Sequence, residues 1–209
     1  MFKLFERLIS SPAKRAEHFW TWFAANEEVY RGLHRQPPSE VEHSMKVLLD
    51  HLAKVDEALV PYVGPTTNGE GFTFIVSAGG RRELFDTARQ LVAAAPELPD
   101  WTVSAFKPAR RELADVHLGE RRLVLDDVRV AQVKLPKEPD ALALHVFVPE
   151  YVPEDEAVRH GLVALAIEAV IGEEAAGRID YVNVAGKGEV APPGVLRPLR
   201  GLGRLIEKS

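Results

Sequence analysis

The sequence predicts an α+β protein with a mixed, mostly antiparallel sheet, helices packed mainly on one face and a helical pair at the N-terminus. Three observations carry this. Two long stretches of helical periodicity come first, before any strand pattern. The later strands and helices are partly segregated along the chain. The regular strand–helix alternation of a doubly wound sheet is missing.

Ser11 followed by Pro12 has the pattern of an N-cap with proline in the first helical position. From there to about Leu33, Phe19, Trp22, Phe23, Val29, Tyr30 and Leu33 recur at helical spacing as one apolar stripe. Pro37-Pro38 breaks the chain, and Ser39 is expected to cap a second helix running to about Ala58. Its apolar face carries Val41, Met45, Leu48, Leu49, Leu52 and Val55. Lys46, Asp50, Lys54 and Glu57 lie on the wet side.

After Leu59 the texture changes. Leu59–Val63 and Gly71–Ala78 read as strands around a Pro65–Gly71 turn, the second alternating Phe72, Phe74 and Val76 with Thr73, Ile75 and Ser77. A helix is expected from about Arg82 to Ala95, then a strand over Trp101–Lys107. Leu123–Val133 and Ala141–Val148 are β-rich, with Pro136 and Pro139 marking the turn between them and Asp126-Asp127 bending the first. A helix from about Glu154 to Ile171 is apolar nearly all round, which predicts burial on more than one side. Gly172 and Gly177 bracket its exit, and Arg178–Val184 reads as the last strand. The tail, with Leu196, Leu199, Leu202 and Leu205, is expected to dock either on the body or on a partner. A single domain is expected: a helical pair over 1–58, a body over 59–191 and a docking tail over 192–209. No internal repeat is visible.

Composition excludes several classes. The 209 residues carry 26 Lys plus Arg against 31 Asp plus Glu, a formal charge of −5. That balance offers no general attraction to nucleic acid or anionic lipid, although Arg81-Arg82, Arg110-Arg111 and Arg121-Arg122 form local basic doublets. With no cysteine, thiol chemistry and Cys-bound zinc are excluded. The apolar run at the N-terminus is too short for a signal-peptide core, and no long apolar stretch follows. A cytoplasmic protein, off the membrane and without a cofactor, is the expectation.

Several stretches resemble an uncharacterised bacterial protein family of unknown function. They are Phe19-Trp20-Thr21-Trp22-Phe23 with Asn26-Glu27, Val76–Gly80, and Ala95-Pro96 through Trp101 to Phe106-Lys107-Pro108. The Gly172-Glu173 junction and the Pro198-Leu199 tail are similar too. The resemblance covers about a third of the chain by the residues it rests on, and implies a shared fold without an assigned activity. It supplies no catalytic residue.

Two groups of residues carry the candidate sites. At Ser77-Ala78-Gly79-Gly80-Arg81-Arg82 a strand runs through two glycines into a helix, gathering amide N–H groups and two arginines where an anion would be welcome. The plainer reading is a tight strand–helix turn with Glu83 as partial compensation. Neither a Walker loop nor a dinucleotide fingerprint is present, and no G-x-S-x-G elbow occurs.

Asn26 falls in the middle of the first helix's stripe and Glu27 at its edge. Asn26 is expected to tie the helix to a neighbouring backbone, since a polar group left unpaired in a core costs about 1–3 kcal/mol. In the sharper reading Glu27 is a general base in an aromatic pocket, with His145 as a further base and member of one polar cluster. His145 alternates with Ala143 and Phe147 and is expected to be a hydrogen-bonded core imidazole. His18, His34, His43, His51, His117 and His160 show no metal-ligand spacing. The aromatics of the first helix are expected in a core, with Trp20 off the stripe and so a marker of an interface. Asp126-Asp127 and Glu173-Glu174 read as solvated connectors.

No convergent set of acid, base and nucleophile stands out. The expected function is a binding or protein-interaction module, as a homo-oligomer or with another protein. The alternative is an enzyme or regulator acting on a small anionic metabolite at the Ser77–Arg82 turn.

Overall fold

The computed structural model describes residues 11–67, 69–148, 156–186 and 195–206. It is an α+β protein whose contacts gather into two compact units, Met1–Lys107 and Pro108–Ser209. The helical pair of residues 1–58 shares the first unit with three strands. The described part of the tail packs within the second.

The first unit opens with α1 (Pro12–Arg31), started by the Ser11 hydroxyl, which accepts from the Lys14 amide. Helix α2 (Pro38–Leu52) begins two residues earlier than expected, with Pro37 and not Ser39 in the cap position. Proline's fixed φ suits a first turn whose N–H groups have no helical partner. Strands β1 (Val60–Pro65) and β2 (Phe72–Ser77) are antiparallel, and β3 (Trp101–Ala105) runs parallel to β2. Between β2 and β3 the chain makes a 3₁₀ turn over Arg82–Leu84 and then α3 (Phe85–Ala93), a shorter α-helix than the periodicity predicts.

One face of this sheet carries Phe72, Phe74 and Val76 beside Trp101, Val103 and Ala105, and packs with the helices into one core. That core is strongly aromatic. The Phe74 ring lies 4.8 Å from Phe23 and 5.3 Å from Trp20, both edge-on, the geometry that aromatic quadrupoles favour. Trp20 is 1% exposed and its indole N–H donates to the Leu91 carbonyl at 2.7 Å. It is therefore core and not an interface marker: α1 contacts α2, α3 and β1 together, which widens its buried face beyond one stripe. Val29 and Leu49, expected on apolar faces, are each 43% exposed.

The second unit begins with a hairpin that the sequence reading missed, β4 (Asp115–Leu118) and β5 (Arg121–Val124). A 3₁₀ turn over Leu125–Asp127 follows, so the expected bend at Asp126-Asp127 divides the predicted segment into two strands. Strand β6 (Arg129–Leu135) pairs antiparallel with β7 (Glu138–Val148). Pro139 lies inside β7 and not in the turn, beside the shift in register with β6, an irregularity of the kind that tolerates proline.

Helix α4 (Glu156–Ile171) leads through Gly172 and the short α5 (Glu173–Ala176) to β8 (Tyr181–Gly186), which is parallel to β7. The residues before 156 in the predicted helix lie outside the described ones. β9 (Arg197–Pro198) pairs with β6, and α6 (Leu202–Ile206) ends the described chain.

α4 contacts the β4–β5 hairpin, α5, α6 and β8, which accounts for its nearly uniform apolarity. A Cβ on Gly161 would stand 2.7 Å from the end of the Leu118 side chain, so the hairpin lies close against α4 here and a larger residue would make that leucine shift. Leu199 and Leu202 are fully buried in the same core as Val130, Leu144 and Val146, so the tail docks on its own chain. No helix among the described residues is long and apolar enough to cross a membrane.

Candidate functional site

Ser77 ends β2 fully buried, and its hydroxyl accepts from the Gly79 amide at 3.1 Å. Gly79 and Gly80 follow with φ of 61° and 75°, a left-handed pair that L-residues with side chains adopt at a cost. The Arg81 amide bonds to Ala78 O at 3.2 Å. The Arg81 guanidinium donates to Ala58 O at 2.6 Å, holding the entry to β1. Arg82 starts the 3₁₀ turn rather than the α-helix, because α3 begins only at Phe85. The predicted strand–glycine–helix turn is there, with the Gly79 and Arg81 amides and the Arg81 guanidinium engaged by the fold.

Asn26 is half-buried, and its amide donates to Trp22 O at 2.7 Å, within its own helix. The expected tie to a neighbouring backbone is replaced by this backward bond, the local alternative open to a short amide on a helix.

Glu27 makes the long-range connection instead. Its carboxylate accepts from the Trp101 indole N–H and from Arg31 Nε at 3.1 Å. Arg31 also donates to the Pro99 carbonyl and to Asp100 Oδ2 at 3.3 Å, and lies 5.2 Å above the Phe72 ring. Burial pulls the Arg31 pKa down, but its bonds to Glu27 and Asp100 and the charge of Glu27 and Glu28 outweigh that and hold it above the ordinary value. Glu27, Arg31, Asp100 and Trp101 thus fasten α1 to the start of β3.

The backbone there is tight. Asp100 has φ 63°, and a Cβ on Gly71 would meet Asp100 O at 2.6 Å. The Glu27–Arg31 spacing was readable as a helical ion pair; Asp100 and Trp101, some seventy residues away, gave no signal.

His145 belongs to the second unit, while Asn26 and Glu27 belong to the first. It is 6% exposed on β7, in register with Ala131 and Asn183, and its Nδ1 lies 3.4 Å from the Asn183 amide nitrogen.

Two expected solvated connectors differ from each other. Asp126 is exposed and bonds to Arg200 Nε. Glu173 is fully buried, while Glu174 pairs with Arg178 at 3.5 Å. Gly172, between α4 and α5, has φ 81°. Arg200 also donates to Arg111 O and Leu113 O at 2.8 Å each and clamps the tail to its unit.

An open cleft of about 540 Å³ lies at one end of β7 and β8, lined by Lys137, Glu138, Asp140, Asp180 and Tyr181 among others. The Tyr181 hydroxyl donates to Glu138 at 2.7 Å, a bond that raises the phenol's pKa, helped by the charge of Glu138. Asp180 accepts from the Leu142 amide at 2.8 Å. No group of three His, Asp or Glu among the described residues is arranged to hold a metal ion.

The sheet of the first unit has a second face. Tyr62, Ile75 and Ser104 stand side by side across its strands, next to the row Gly64, Thr73 and Thr102. None of these joins the aromatic core. Tyr62 is 43% exposed and Val60, on the same face, 37%; the Lys107 ammonium lies 5.1 Å from the Tyr62 ring.

No family model, curated protein or solved structure compared with this chain gives a match.

Proposed function

We propose that the protein is a non-catalytic protein-interaction module. The observation that carries this reading is the outward face of the β1–β2–β3 sheet. Tyr62, Val60 and Ile75 stand there among the hydroxyls of Thr73, Thr102 and Ser104. Apart from the Lys107 ammonium beside the Tyr62 ring, the face presents a tyrosine, apolar side chains and uncharged hydroxyls, the make-up of protein interfaces, where aromatics are enriched. Supporting it, Glu27 is spent on Trp101 and Arg31, and the Ser77 hydroxyl on its own turn.

A second copy of the chain is the simplest partner to test. Light scattering at rising concentration should give a mass above the 23.1 kDa of the single chain. Tyr62→Glu with Val60→Glu, folded by circular dichroism, should return it to that mass. A wild type that stays at 23.1 kDa to high concentration removes self-association from the reading.

The alternative places a small anionic metabolite at Ser77–Arg82. Its support is the pair of successive left-handed glycines. Against it stand the bonds already made by Gly79, Arg81 and the Arg81 guanidinium. Phosphate or citrate at millimolar concentration should leave the melting temperature unchanged. A rise abolished by Arg81→Ala with Arg82→Ala would favour the alternative.

A further inference from the structure

We draw no further inference here: the strongest candidate, the cleft at the end of β7 and β8 lined by Glu138, Asp140, Asp180 and Tyr181, is a cluster of acidic side chains with no second observation that points to a ligand.

Discussion

The two units repeat one strand plan with different materials. In each, two antiparallel strands form a hairpin, a helix follows, and a third strand lies parallel to the second: β1, β2, α3 and β3 in one, β6, β7, α4 and β8 in the other. The first unit fills its core with rings, including Phe19, Trp20, Phe23, Phe74 and Trp101. Among the described residues, the buried core of the second is made of valine, leucine, isoleucine and alanine alone. One arrangement of backbone hydrogen bonds is thus compatible with either kind of packing, as long as volume and alternation are kept.

Each unit also fastens one edge through an arginine. The first fastens its N-terminal helix through a charged cluster around Arg31. The second fastens its tail through Arg200, which serves two backbone carbonyls and Asp126. All three tryptophans, Trp20, Trp22 and Trp101, lie in the first unit, so indole fluorescence reports that unit selectively.

The comparison can be broken most forcefully at the centre of each core. Phe74→Ala should cost about 3–5 kcal/mol and Leu144→Ala about 2–5 kcal/mol, as cavities among close-packed groups. Both sites are at most 1% exposed. The charged fastening is weaker. Glu27→Ala should cost about 1–3 kcal/mol by denaturant titration, because it strands the Trp101 N–H and part of Arg31. Glu27→Gln, which can still accept from Trp101, should recover part of that. A general base would behave differently, since the glutamine could not replace it in any activity.

The smallest effect is confined to high pH. Burial pushes the Tyr30 phenol up to about 12, whereas an unfolded tyrosine ionises near 10. The unfolded chain therefore gives up this proton first, and stability falls as pH climbs from about 10 through about 12. Tyr30→Phe should flatten that alkaline decline in a pH series of melting temperatures, and an unchanged slope would contradict the buried phenol.

The helices were the most legible part of the fold. Ser11-Pro12 and the Phe19–Tyr30 spacing gave α1, and the unbroken apolarity before Gly172 gave α4, because periodicity reports burial directly. The β4–β5 hairpin was not legible: its strands are four residues each, too short for alternation to stand out. The repeated strand plan was hidden because the aromatic rings of the first core have no counterpart in the second and the two helices differ in length, 9 and 16 residues.

The candidate sites divided the same way. Ser77–Arg82 was legible as a turn because glycine pairs demand one. The partner of Glu27 was not, since contacts across some seventy residues leave no mark on local spacing. Glu173 was misplaced because a pair of carboxylates after a helix looks solvated in local sequence, whereas its burial is set by tertiary packing.

Equilibrium unfolding of the full chain, followed by indole fluorescence and backbone circular dichroism in one titration, tests most directly whether each unit stands on a core of its own. Leu144→Ala should move the circular-dichroism transition to lower denaturant while the fluorescence midpoint stays within error of the wild type, and Phe74→Ala should move the fluorescence midpoint. If Leu144→Ala shifts both signals by the same amount, the aromatic and aliphatic clusters unfold as one, and the account of two self-supporting units is contradicted.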